Sequence, residues 1–94
     1  MPVLFIVQEE IHDPEAMAPY AAAAALAPNA GRVVAVDDHP IVLEGQWHGE
    51  RTVVLEFEDE AAFRAWYESP EYQAALRIRL QATDSRAALV HTRS

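Results

Sequence analysis

The apolar residues of this chain switch repeatedly between alternation and helical spacing, and the order of those switches limits what it can fold into. Over residues 3–11 they alternate. Val3, Phe5, Val7 and Ile11 share one face of a strand, and Leu4, Ile6, Gln8 and Glu10 the other, which turns polar toward its end. Asp13-Pro14-Glu15 then reads as a helix start, with Asp as N-cap, Pro at the first helical position and an acid near the positive end of the dipole. The helix runs through Met17, Tyr20 and the alanine tract 21–25, whose small side chains allow close approach to a sheet. Pro19 has no donor for an internal bond, so a kink or a later start is expected. Pro28-Asn29-Ala30-Gly31 ends the helix.

Residues 32–36 form a second strand, turned by Asp37-Asp38-His39-Pro40. Residues 41–46 and 51–57 read as further strand, joined around Trp47-His48-Gly49-Glu50. Asp59-Glu60 opens a second helix whose inner positions are Phe63, Trp66 and Tyr67, and Ser69-Pro70-Glu71 restarts it with a new cap. Tyr72, Ala75, Leu76, Arg79 and Leu80 then share one side, and residues 87–91 make a short last strand. The order is β-α-β-β-α-β, the split βαβ plan of ferredoxin-like α+β folds. Both helices cover one face of an antiparallel sheet and leave the other for a partner or a ligand.

At 94 residues this is one domain, 1–94, with one core, and its 51% apolar content favours burying a sheet face against a second copy. The absence of cysteine excludes disulfides, thiol nucleophiles and thiolate metal sites. The run from Met1 to Val7 has neither a basic leader nor the length to span a bilayer, so no membrane association and a cytoplasmic location are expected. Fifteen acids against seven bases, all arginine, give a formal charge of −8, which disfavours nucleic acid. Without lysine there is no Schiff-base chemistry.

Several of these pieces resemble the bacterial family catalogued as domain of unknown function 1330, within the dimeric α/β-barrel superfamily. They are Asp13-Pro14-Glu15 with Tyr20, Ala30-Gly31-Arg32, Glu44-Gly45 with Trp47, Glu56-Phe57, Trp66-Tyr67 with Ser69-Pro70-Glu71-Tyr72, and Arg79. They span nearly the whole chain, and the Trp-Tyr-x-Ser-Pro-x-Tyr stretch with its downstream arginine is the most specific. The resemblance implies a homodimer with sheets packed face to face and a cavity between sheet and helices in each subunit. Its wider superfamily includes cofactor-free monooxygenases, isomerases, cyclases, dehydratases and haem enzymes. Ala30 replaces the usual first glycine of a Gly-Gly-Arg turn, and Met17 stands where a tyrosine is common.

Arg79 follows Tyr72 by seven residues, so both lie on one helix face. A cation there is either an anion clamp for a ligand carboxylate or enolate, or a structural partner of Glu44 or Glu56. If Val53, Leu55 and Phe57 face the helices, Glu56 faces the inside of the dimer barrel, as a general base or as the partner of an arginine across the dimer. Glu44, alternating with Val42 and Gln46, either lines a cavity mouth or is solvated. His12 and His39 sit at element ends; His12 can face a pocket, and His39 after two acids can form an Asp-His base, or both are surface residues. None of the four histidines has metal-ligand spacing. Tyr20, Trp66, Tyr67 and Tyr72 are core aromatics whose polar ends can contact a ligand.

The resemblance, more than the residues themselves, implies a small, cofactor-independent cyclase, isomerase or dehydratase acting by acid/base chemistry on a carbonyl-bearing or polyketide-like molecule. Glu56, Tyr72, Arg79 and His39 are the catalytic candidates, with His12, Tyr20, Glu44, Trp66 and Tyr67 around the substrate. The competing reading is a non-catalytic ligand-binding or structural homodimer.

Overall fold

In the computed structural model, which describes residues 1–93, the chain runs β1 (Val3–Ile11), α1 (Pro14–Met17), α2 (Tyr20–Ala24), β2 (Arg32–Asp37), β3 (Arg51–Phe57), α3 (Glu60–Tyr67), α4 (Pro70–Ala82) and β4 (Thr83–His91). The four strands form one antiparallel sheet in the order β2-β3-β1-β4, the ferredoxin-like arrangement expected from the element order. β1 is central, paired with β3 from Val3↔Phe57 to Glu9↔Arg51 and with β4 from Val3↔His91 to Ile11↔Thr83.

Alternation sets the two faces of this sheet. Val3, Phe5 and Val7 are buried under the helices with Phe57, Phe63, Trp66, Tyr72, Ala75 and Leu76. Burying each such large side chain contributes about 1.5–3 kcal/mol. The Phe5 and Phe63 ring centroids lie 5.0 Å apart, and those of Phe57 and Phe63 5.3 Å. Leu4, Ile6, Val54, Ala88 and Val90, in mutual register, belong to the opposite, helix-free face.

The caps form where side-chain chemistry places them. Asp13, Asp59 and Ser69 each accept a hydrogen bond from the backbone N–H three residues on, at Ala16, Ala62 and Tyr72. Pro19 breaks the first crossover into α1 and α2, as its missing donor requires. At Gly31 there is no room for a side chain, since a Cβ would stand 2.7 Å from both the Glu56 carbonyl oxygen and the Phe57 ring.

Three expectations are corrected. Residues 41–46 form no strand; they belong to an excursion between β2 and β3 that pairs with nothing in the sheet. β4 begins at Thr83, not at residue 87, because backbone pairing with β1 continues through polar Asp84, Ser85 and Arg86. Leu80 points outward and is exposed, so the inner side of α4 is Tyr72, Ala75, Leu76 and Arg79.

Candidate functional site

Between the inner sheet face and the helices lies a cavity of about 240 Å³. Phe5, Val7, Val53 and Leu55 supply its apolar floor, α1 and α2 contribute Met17, Tyr20 and Ala24, and Trp66 and Tyr72 close it from α3 and α4. Its charged groups are Glu9, Arg51 and Arg79. The volume falls just short of ordinary ligand sites, which span about 300–1,000 Å³.

The Ser69-Pro70 restart builds one wall. Ser69 Oγ donates to the Trp66 carbonyl at 2.7 Å and accepts from Tyr72 N–H at 3.1 Å, which fixes where α4 begins. That start leaves the Trp66 and Tyr72 rings packed at 3.9 Å between centroids. Two turns later the same face presents Arg79, only 2% exposed. Its Nη1 donates to Ser85 Oγ at 2.8 Å, while its Nε has no partner.

Glu9 continues the Val3-Phe5-Val7 face of β1 and is 4% exposed. Its Oε2 has no hydrogen bond; the nearest cation is Arg51, its cross-strand neighbour, at 3.9 Å. Arg51 is held more tightly by Asp38, at 3.1 Å. Burial pushes the Glu9 carboxyl above its ordinary value, against the opposing pull of Arg79 and then Arg51. The Tyr20 and Tyr72 hydroxyls are 2.8 Å apart, and burial, reinforced by Tyr72, raises the Tyr20 phenol so that it stays neutral and able to donate. A buried carboxylate and guanidinium, each with an atom left unpaired, are costly unless something occupies the space between them. Such a cavity can accept a proton on one side and hold a negative oxygen on the other.

Of the candidate residues, Tyr20, Trp66, Tyr72 and Arg79 line this cavity together. Tyr67 instead stacks on Phe63, with 5.1 Å between ring centroids. Glu56 belongs to the helix-free sheet face, where Arg32 of the same chain donates to it at 3.0 Å. Neither Glu56 nor Glu44 pairs with Arg79, so the structural ion pair weighed against an anion clamp does not form; Glu44 lies in the exposed excursion after β2. His12 is exposed between β1 and α1, its backbone N–H bonded to the Ala82 carbonyl at 3.1 Å. His39 is also exposed, and Asp37 accepts from its backbone N–H at 2.9 Å, so the acid serves the turn and not the ring.

Sequence reasoning missed Glu9 and Arg51. The signal for Glu9 was period two itself, which places it between Val7 and Ile11 on the core face. Among the described residues no group of three or more His, Asp or Glu side chains converges as a metal site, and no helix is long and apolar enough to cross a membrane.

The family model described as "Domain of unknown function (DUF1330)" matches residues 2–92. No curated protein matches the chain. Among solved structures, a protein of unknown function from Rhodopseudomonas palustris is similar at 23% identity and a TM-score of 0.75, over 99% of this chain and 83% of that one. A dimeric ferredoxin-like protein of unknown function from Jannaschia sp. CCS1 is 14% identical with a TM-score of 0.74, over 98% and 100% of the two chains. SnoaB from Streptomyces nogalater, described as a cofactor-independent oxygenase, is 19% identical with a TM-score of 0.63, over 99% and 94%.

Proposed function

The chain belongs to the DUF1330 family, a family defined without an assigned reaction, and on that footing we propose that it is a small cofactor-independent enzyme of cyclase, isomerase or dehydratase type. Its substrate is a carbonyl-bearing, mainly apolar molecule of the polyketide-like kind, bound in the cavity between sheet and helices. The observation that carries this reading is the Glu9–Arg79 pair, an unpartnered carboxylate oxygen and an unpartnered guanidinium nitrogen lining the same apolar chamber. The shared fold of a cofactor-independent oxygenase supports it at the level of architecture alone.

Ionised Glu9 takes the proton alpha to the carbonyl, and the C–H electron pair moves into an enolate whose oxygen Arg79 holds. The Tyr20 hydroxyl, held against Tyr72, offers a further donor. Return of the proton from Glu9 to another carbon is an isomerisation; attack of the enolate carbon on a second carbonyl is a cyclisation. The raised Glu9 value suits this role, because a carboxyl closer to neutrality both accepts and returns a proton more readily. Among the earlier candidates, Tyr72 and Arg79 keep their catalytic roles, Tyr20 and Trp66 shape the binding surface, and Glu9 takes the base role considered for Glu56 and His39.

The protein works as a homodimer through the helix-free sheet face, where Leu4, Ile6, Val54 and Val90 offer an apolar surface. Small β-keto esters and lactones followed by NMR test the enzymatic reading, with wild type, Glu9→Gln and Glu56→Gln compared. Conversion that disappears in the Glu9 variant supports it; loss only in the Glu56 variant moves the base to the other sheet face. The second reading, a non-catalytic ligand-binding dimer, is favoured by the largely apolar lining. It predicts ligand-raised melting temperatures with no conversion of any compound.

A further inference from the structure

The excursion between β2 and β3 is pinned at its base and unsupported at its tip. Arg51 Nη1 donates to Asp38 at 3.1 Å, which closes the base across the excursion. Trp47 Nε1 donates to Thr52 Oγ1 at 2.8 Å, and the His48 ring lies 2.8 Å from the Asp84 carbonyl at the start of β4. Gly49, at φ +72°, passes so close to β1 that a Cβ there would collide with the Glu9 backbone. The returning limb is thereby drawn across the end of the sheet from β3 to β4.

Residues 41–46, between these anchors, make no hydrogen bond or ion pair with the described residues. Ile41 is 88% exposed and Leu43 86%, the two most exposed large apolar side chains of the described chain. They alternate with the half-covered Val42 and with Glu44, so an extended backbone turns Ile41 and Leu43 to one side together. A free-standing strand of this pattern needs a surface to lie on. The helix-free sheet face has one, a shallow groove formed by Ile6, Gln8, Arg86, Ala88 and Val90. Six extended residues reach about 20 Å at roughly 3.3 Å each, enough to cross from one copy to another once two sheets stand face to face.

We propose that residues 41–46 are an exchanged arm. In a pair of chains, Ile41 and Leu43 of each copy seat in the groove over Ile6 and Ala88 of the other. This rests on the homodimer reading above: the arms take the β1–β4 side of the helix-free face, at Ile6, Ala88 and Val90, and the two sheets meet beside them. It gives the alternating pattern of 41–46 a physical purpose that the isolated chain does not show. Symmetric exchange buries both arms at once and leaves neither apolar tip in water.

The chain contains no cysteine, so Leu43→Cys with Ala88→Cys places the only two thiols in the protein. Mild oxidation of the double variant is expected to give a disulfide-linked dimer in higher yield than either single variant. Ile41→Ser with Leu43→Ser changes only exposed side chains, and is expected to raise the dimer dissociation constant at least about tenfold in sedimentation analysis. A dimer that cross-links no better than the single variants, or that the serine changes leave unweakened, overturns the arm while sparing the sheet-face dimer. A disulfide confined to one chain overturns it too, by showing the arm folded on its own sheet. A wild-type chain that is monomeric at micromolar concentration overturns both the arm and the homodimer.

Discussion

Glu9 on β1 and Arg79 on α4 are the two most deeply buried charged residues of the described chain, and they line one cavity with an unpaired polar atom apiece. Arg79 favours ionised Glu9 and burial opposes it, with burial prevailing. The fold therefore stores an unfavourable charge state in the space where a ligand fits.

That balance has a direct signature in stability against pH. A carboxyl raised in the folded state leaves the native protein binding more protons than the unfolded chain between the two values, so stability falls as pH rises through that window. Below the ordinary value of 4.5 this contribution vanishes, and above the folded value it stays at its most unfavourable. Urea unfolding of wild type and Glu9→Gln across pH should show curves that converge in acid, with the variant the more stable near neutrality.

Removing the cation has the opposite effect. Arg79→Met deletes the bond to Ser85 and leaves ionised Glu9 with only the 3.9 Å contact to Arg51. Losing a charge-assisted hydrogen bond together with the strongest opposing pull on a buried carboxylate costs about 1.5–3 kcal/mol. In the double variant with Glu9→Gln, part of this should return. A coupling on the order of 1 kcal/mol in a double-mutant cycle by urea unfolding measures it.

The phenol pair makes a smaller, separable prediction. Tyr20→Phe keeps the ring but leaves the buried Tyr72 hydroxyl without its 2.8 Å partner, at a cost of about 1–2 kcal/mol. Thermal unfolding checks the loss. In the enzymatic reading the same variant slows conversion without abolishing it.

Gly45 and Gly49 form a natural comparison, since both have φ near +70°, at +67° and +72°. Alanine at Gly45 meets open space and carries only the backbone penalty of the left-handed region, about 1–2 kcal/mol. At Gly49 the added Cβ collides with the Glu9 backbone, so Gly49→Ala should cost clearly more and shift the amide resonances of Glu9 and Glu10.

Much of this was legible in the residues. The Ser69-Pro70 cap and the spacing from Tyr72 to Arg79 located a buried guanidinium, because helical geometry leaves it nowhere else to point. Glu9 was hidden by its neighbours: Gln8, Glu9 and Glu10 look like a strand turning polar, and only packing by the helices makes the middle one internal. The polar start of β4 was hidden for a related reason, as pairing with β1 uses backbone groups that side chains do not reveal. Residues 41–46 alternate but form no strand, because alternation specifies a strand only where a neighbouring strand or surface is present.

Deuterium incorporation from heavy water into the alpha position of a small β-keto ester, by wild type and Glu9→Gln side by side, tests the central claim most directly. The account predicts enzyme-dependent exchange that falls by about a hundredfold or more in the variant, the usual weight of a general base. Equal exchange by the two proteins, with the variant folded, would contradict it.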